Sequence, residues 1–446
     1  MPKDIFREYD IRGLVDKDLT EERVELIGKA YGTLVNGNIA VGRDIRTSSE
    51  KYSKALIKGL RSTGCNIIDI GISTTPLLYF SIHQYEQDGG IMITGSHNPI
   101  EYNGLKLCKG LMSLHGKDIQ EIRKVVEKGE FKQGEGTIQE KNPLEQYHAY
   151  IKDKIKLGKK LKVVIDSGNG TAGPVALKLL KDLGCEVVPL YCDPDGTFPN
   201  HLPDPTVVEY VQDLIAKVKE ENADVGIGYD GDADRIGMID EKGNIIYGDN
   251  IMMLLSEELQ QRKPGSKVIF DVKCSSLLAD EIKRQGGVPI MWKTGHSLIK
   301  SKMHEEKAEL AGEMSGHIFF NDRFLGFDDA IYASCRLLEI LSNTDKKASQ
   351  LLEHLPKTYN TPEIRVDCPE DKKFLIPEEL KKEIGNEFNI YDIDGARIHF
   401  EDGWGLVRAS NTQPVLVLRF EAQSPERLQE IQNFVENKVE LIKNRL

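Results

Sequence analysis

The sequence predicts an α/β protein with three related mixed α/β domains, largely parallel in their sheets, and a smaller C-terminal α+β domain. Three observations predict it. A strand–turn–helix–glycine–strand pattern occurs three times. Each occurrence is followed by another short strand that runs into an unusual polar loop. From about residue 356 onward the pattern stops, and several short strands with an amphipathic helix replace it.

The first unit spans residues 39–70: IAVGRD, a Ser/Thr-rich turn, a helical stretch ending at Gly64-Cys65, then NIIDI. The second spans 162–191: KVVID, the turn SGNGTAG, the apolar helix VALKLLKDL, Gly184-Cys185 and EVVPLY. The third spans 267–292: KVIFDVK, SSLLADEIKR, Gly286-Gly287 and VPIMW. Each reads as a βαβ unit of a parallel sheet. The strands that follow end in IMITGSHNP (91–99), VGIGYDGDADR (225–235) and LAGEMSGH (310–317). Open α/β sheets bind ligands at the carboxyl ends of their strands, so three such domains would aim three loops at one central cleft. In the second unit Val207, Val208, Val211, Leu214, Ile215 and Val218 predict a helix before the loop. In the last domain Leu428, Ile431, Val435, Val439 and Ile442 line a C-terminal helix, and another helix is expected near 377–385. The expected domains are 1–148, 149–248, 249–358 and 359–446, with linkers near 140–160, 245–265 and 356–367.

Composition fits this plan. At 446 residues the chain exceeds one ordinary core, given about 150 residues per domain. With 39% hydrophobic and 29% charged residues it is globular in composition. It has no apolar run long enough for a membrane span, and MPKDIFREYD reads as part of the fold. A net charge of −12 without a basic stripe argues against a nucleic-acid surface. The seven cysteines are scattered with no C-x-x-C, as expected of reduced thiols in a cytoplasmic protein.

In TGSHNPIEYNGLK, Gly95 turns the chain and exposes Ser96 at a strand end, where His97 and Lys106 could assist a weak nucleophile. A polar turn whose side chains bond the backbone is the plainer reading of that loop alone. DGDADR puts Asp230, Asp232 and Asp234 on one curling loop. Three such close carboxylates repel unless a hard cation such as Mg²⁺ or Ca²⁺ neutralises them. The spacing to Glu241 imitates an EF-hand, but Arg235 stands where that loop needs glycine and the flanks are strands. In GEMSGH, Glu313, Ser315 and His317 alternate and suit sugar hydroxyls, with Lys293 and His296 at a neighbouring strand end. In RASNTQPVLVLRFEA, Arg408, Ser410, Asn411 and Thr412 would make a good phosphate cradle, to which Arg419 could add charge; a hairpin turn is the plainer reading of that loop alone. SGNGTAG also carries G-x-G-x-x-G between a strand and a helix, which favours a dinucleotide site with Asp193 near a ribose. The other units lack those glycines, and a nucleotide there would leave the aspartate triplet unexplained.

TGSHNP, DGDADR, GEMSGH and RASNT, in this order, resemble the phosphoserine, metal, sugar and phosphate loops of the α-D-phosphohexomutase family over essentially the whole chain. GEMSGH resembles its bacterial phosphomannomutase/phosphoglucomutase branch. The resemblance implies a phosphoserine at Ser96, which would also contribute an oxygen to Mg²⁺ bound by Asp230, Asp232 and Asp234. It implies sugar contacts from Glu313 and Ser315, with Arg408, Ser410, Asn411 and Thr412 on the non-reacting phosphate. Tyr9, Arg12, Lys106, Arg235, Lys273, His296 and His317 would line the cleft; Lys106, His296 and His317 are the acid/base candidates. The implied reaction moves phosphate between C1 and C6 of a hexose phosphate through a hexose 1,6-bisphosphate. A phosphoglucosamine mutase and a metal-dependent sugar phosphatase are the alternatives. The expected partners are phosphosugars, without nucleic acid or membrane, and the expected state is a monomer or weak dimer.

Overall fold

In each α/β unit a run of β-branched and small apolar residues is buried on both faces, which is what a central parallel strand requires. The computed structural model describes residue 2, residues 5–411 and residues 413–446. Its first sheet contains β1 (Ile11–Leu14), β2 (Asn38–Arg43), β3 (Asn66–Ile72), β4 (Gly89–Ile93), β5 (Tyr102–Lys109), β6 (Met112–Ser113) and β7 (Ile138–Glu140). The second contains β8 (Lys162–Asp166), β9 (Glu186–Leu190), β10 (Val225–Tyr229), β11 (Ile236–Asp240) and β12 (Ile245–Ile246). The third contains β13 (Lys267–Asp271), β14 (Val288–Trp292), β15 (Leu310–Gly312), β16 (Ile318–Phe320) and β17 (Phe327–Asp328).

One topology recurs in all three. The central strand β2, β8 or β13 pairs in parallel with β3, β9 or β14 on one side and with β4, β10 or β15 on the other. That last strand then turns back into an antiparallel partner, β5, β11 or β16. Each candidate loop is therefore the connection from a parallel strand to an antiparallel one. The repeat extends one strand further than the βαβ pattern predicts.

The helices include α1 (Glu21–Val35), α2 (Ser49–Arg61), α3 (Thr75–Gln84), α4 (Lys117–Lys128), α5 (Leu144–Lys154), α6 (Ala172–Asp182) and α7 (Gln212–Glu220). They continue with α8 (Gly248–Arg262), α9 (Ser276–Arg284), α10 (His296–Glu306) and α11 (Ala330–Ser342). Thr74 caps α3 by accepting from Leu77 N, and Asp329 caps α11 by accepting from Tyr332 N. Two expectations are corrected here. The linkers placed near 140–160 and 245–265 are largely helix: α5 and α8 occupy them and bury Tyr147, Ile151, Ile251 and Leu255. The apolar stripe of 207–218 is helical only from Gln212. Asp204 Oδ1 accepts from both Thr206 N and Thr206 Oγ1, which holds the preceding segment in turns and leaves Val208 exposed.

The C-terminal sheet is antiparallel: β18 (Tyr359–Asn360), β19 (Ile364–Asp367), β20 (Asn389–Tyr391), β21 (Ala396–Phe400), β22 (Gly403–Ala409) and β23 (Val415–Ala422). The helices α12 (Leu375–Ile384) and α13 (Pro425–Arg445) pack on it. Ile431, Val435, Val439 and Ile442 are buried, as the helical spacing predicts. One apolar core runs from Ala40 through Ile165 and Phe270 to Leu351, so the three α/β units share it, while residues 368–442 enclose a separate core. All seven cysteines are free and buried, and no helix among the described residues is long and apolar enough to cross a membrane.

Candidate active site

The loop after β4 carries Ser96 in a left-handed backbone conformation, φ 49°, which is costly for a residue with a Cβ. Its surroundings hold it there. The buried Arg46 guanidinium donates to the carbonyls of Ser96 (2.9 Å), Asn98 (2.5 Å), Pro99 (2.8 Å) and Tyr102 (3.2 Å). Asp44 Oδ2 accepts from Gly95 N at 2.9 Å. A Cβ on Gly95 would lie 2.3 Å from Arg46 Nε, so the clamp needs glycine there.

Ser96 Oγ donates to Asp230 Oδ2 at 2.8 Å, joining this loop to the one after β10. Asp230, Asp232 and Asp234 are fully buried, and each can offer a carboxylate oxygen within 4.8 Å of the others. Asp230 Oδ1 accepts from the N–H groups of Asp234 and Arg235. Lys106 Nζ donates to Asp232 Oδ2 at 2.7 Å and to Asp234 Oδ2. Asp232 Oδ1 and Asp234 Oδ1 are buried with no hydrogen-bond partner. Burial, then Asp234 and Asp232, pushes the Asp230 carboxyl well above its ordinary pKa. Burial acts the same way on Asp234, but Lys106 and other cations overcome it and hold that carboxyl low. For Lys106 burial works against the ammonium, and the three aspartates more than offset it. An all-oxygen set with unpartnered buried lone pairs fits a hard divalent cation.

The loop after β15 meets the aspartate loop through a bridge between Arg235 and His317. Arg235 Nε donates to His317 Nε2 at 3.0 Å, so that nitrogen accepts, and Nδ1 faces Asp328 Oδ2 at 3.0 Å. His296 stacks on His317 with ring centroids 5.4 Å apart, and burial lowers its pKa to about 3, leaving it neutral. Glu313 accepts from Gly295 N at 2.5 Å. Lys273 pairs with Glu363 at 3.2 Å, and Arg419 donates to Lys273 O. In the C-terminal domain Arg408 donates to Asp394 at 2.9 Å. Asn411 Nδ2 donates to Tyr9 OH at 2.5 Å, and Tyr9 OH donates to Thr294 O at 2.8 Å. Burial pushes the Tyr9 phenol up, so it stays protonated in this chain of bonds.

Four sequence profiles of phosphoglucomutase/phosphomannomutase match this chain. Its alpha/beta/alpha domain I matches residues 3–133, domain II 145–243, domain III 247–359 and the C-terminal domain 363–438. The chain belongs to the phosphoglucomutase/phosphomannomutase family. It is 48% identical to the phosphomannomutase/phosphoglucomutase of Pseudomonas aeruginosa, over 100% of this chain and 97% of that one. It is 47% identical to a phosphoglucomutase of Neisseria gonorrhoeae, over 97% and 95%. A crystal structure of a phosphoglucomutase/phosphomannomutase family protein from Burkholderia thailandensis superposes with a TM-score of 0.94 at 41% identity, covering 99% of this chain and 98% of that one.

Against this family background, the fold brings most of the sequence-predicted residues into one connected cluster. Ser96, Lys106, the three aspartates, Arg235, His296 and His317 form its centre, with Glu313, Lys273 and Arg419 on the third-domain side. Asn411 and Arg408 close it from the C-terminal domain, where Asn411 meets Tyr9 of the first domain. Arg12 pairs with Asp10 at 2.5 Å, Ser410 Oγ accepts from Gln413 N, and Ser315 is half-buried. Lys293 is exposed. Thr412 lies outside the described residues. Sequence reasoning missed Asp44, Arg46 and Asp328. Their signal was faint: Asp44 follows β2 directly and reads as an ordinary surface turn, Arg46 lies in the turn after it, and Asp328 ends the two-residue strand β17.

Proposed function

We propose that this chain is a phosphomannomutase/phosphoglucomutase that moves phosphate reversibly between C1 and C6 of mannose and glucose phosphates. The observation that carries this reading is the bond from Ser96 Oγ to Asp230, at the edge of a carboxylate triplet with two unpartnered buried oxygens. In the proposed cycle phosphoserine 96 gives its phosphoryl group to the C6 hydroxyl of a hexose 1-phosphate. The Oγ–P bond breaks, the O6–P bond forms, and the hydroxyl proton passes to His296 or His317, because the aspartates hold Lys106 as an ammonium. Hexose 1,6-bisphosphate and unmodified Ser96 result. The intermediate turns over, Ser96 takes the phosphoryl group from C1, and the 6-phosphate remains. Mg²⁺ held by Asp230, Asp232 and Asp234 with a Ser96 oxygen would supply positive charge to the transferring group. Lys106 and Arg235 add fixed charge. Glu313 and Ser315 bind sugar hydroxyls, while Arg408, Ser410, Asn411 and Thr412 hold the other phosphate, with Tyr9, Arg12, Lys273, Lys293 and Arg419 around the substrate. The enzyme works in the cytoplasm as a monomer or weak dimer on phosphosugars, not on nucleic acid or membranes, with the bisphosphate as activator.

The test offers glucose 1-phosphate, mannose 1-phosphate and glucosamine 1-phosphate with Mg²⁺ and a trace of bisphosphate, following ³¹P signals. Formation of 6-phosphates from glucose and mannose without free phosphate is expected. Stoichiometric free phosphate would instead identify a phosphatase, and a preference for glucosamine a phosphoglucosamine mutase. Ser96→Ala should lose the covalent phosphate and nearly all turnover. Removing the charge at Lys106 or Arg235 should cost about 10²–10³ in rate.

A further inference from the structure

The G-x-G-x-x-G turn before α6 has no task in the reaction above, yet its contacts are specific. Thr171, at the N-cap position of α6 but without a capping bond to it, directs both its N–H (3.1 Å) and its hydroxyl (3.0 Å) at the carbonyl of Gly231 in the aspartate loop. A Cβ on Gly170 would lie 2.8 Å from that same oxygen. The helix start that would receive a phosphate in a dinucleotide enzyme here receives a peptide carbonyl instead.

The next two carbonyls of the loop are held the same way. Thr75, the first residue of α3, donates its N–H to Asp232 O at 2.9 Å. Ala330, the first residue of α11, donates its N–H to Ala233 O at 3.2 Å. Three consecutive carbonyls thus accept from three helix starts, each from a different α/β unit, where first-turn N–H groups lack intrahelical partners. The loop's peptides are turned outward, toward the helices. Ala233 is kept at φ 61°, a strained conformation that its held carbonyl helps fix. In addition, Thr75 Oγ1 donates to Asp232 Oδ2 at 2.5 Å. With Lys106 on the same oxygen, this leaves Asp232 Oδ1 as the unpartnered buried lone-pair donor.

We propose that Thr75 and Thr171 are positioning residues of the metal centre. They fix the aspartate loop so that Asp232 presents Oδ1 to the cation before the cation arrives. The proposal rests on the reading that the aspartates hold a divalent metal. Partners that orient a ligand carboxylate typically contribute 10- to 100-fold in metal affinity.

The test uses the full-length dephosphorylated protein, with Mn²⁺ binding followed by electron paramagnetic resonance and melting followed in chelator. Thr75→Val removes the hydroxyl and keeps the shape; Thr75→Ser keeps the hydroxyl. Thr75→Val should weaken Mn²⁺ binding about tenfold, with Thr75→Ser close to wild type. Thr171→Val should weaken it less, because the Thr171 N–H still reaches Gly231; it also serves as the measurement if Thr75→Val fails to fold. The sugar-phosphate KM at saturating metal should stay unchanged. Unweakened binding in the folded valine variants, or equal loss in Thr75→Ser, overturns the positioning role alone. Wild-type protein that binds no Mn²⁺ overturns the metal reading and this role with it.

Discussion

Ser96 occupies a backbone region that side-chain-bearing residues avoid, and one guanidinium with four carbonyl acceptors keeps it there. Lysine is a single flexible point charge and cannot reproduce that fork. Arg46→Lys leaves buried carbonyls unpaired and lets the serine drift. Misplacement of a reacting group by about 1 Å costs on the order of 10² in rate, so kcat should fall by about that much while KM changes little. Steady-state kinetics beside a melting curve would check this, and a kcat equal to wild type would remove Arg46 from the account. The sequence marks Ser96 and the aspartates because their spacing is itself unusual. Arg46 carries no such mark: its carbonyl partners lie at 96–102, and a clamp of this kind exists only once the chain has folded. The same holds for Asp328, which reaches His317 across a hairpin.

At the level of strands and helices, the repeated βαβ pattern was legible because buried parallel strands are continuous apolar runs between glycine stops. The antiparallel return strands were harder to see. β16 is only Ile318–Phe320, too short to show an alternating pattern, and it reads as the tail of its loop. The stripe at Val207 and Val208 misled because apolar spacing does not register the Asp204 turn. In the C-terminal sheet, β21 bears His399, whose pKa is lowered to about 4 by burial and then by Arg397. An unfolded histidine titrates near about 6.5. Between those values the unfolded chain binds the extra proton, so the stability His399 contributes is present above pH 6.5 or so and is lost as pH falls toward about 4. His399→Gln should flatten the acid-side decline of the C-terminal domain's unfolding transition. An unchanged pH slope would contradict this.

Across the whole molecule, the C-terminal domain has its own core and meets the others through polar contacts at the site and a small apolar cluster in which Trp404 and Leu406 pack with Val272 of the third domain. Asn411 reaches Tyr9 of the first domain, and Asp394 accepts from Thr294 N of the third. Arg397, fully buried, donates to the carbonyls of Val272 and Cys274, so the side facing the third domain is the tighter one. A bisphosphate that must turn over needs a phosphate site that can give way. The C-terminal domain is therefore expected to rotate about 356–367, opening at Tyr9–Asn411. Small-angle scattering should differ between the free and bisphosphate-bound protein, and Tyr9→Phe should shift the free protein toward the open form. Superimposable curves would rule out a large rotation.

The shared core has a consequence for how this chain can be taken apart or altered. The three α/β units look like copies of one module, and modules of that kind are often portable. Here they are not. Tyr79 and Phe80 of the first, Ile165 and Met238 of the second and Phe270 and Phe327 of the third lie in one continuous apolar interior. An isolated unit would carry a raw hydrophobic face and aggregate. The three units are therefore expected to lose their structure together when the shared interior is exposed, although the first keeps a second apolar cluster of its own around Val24, Leu56 and Ile91.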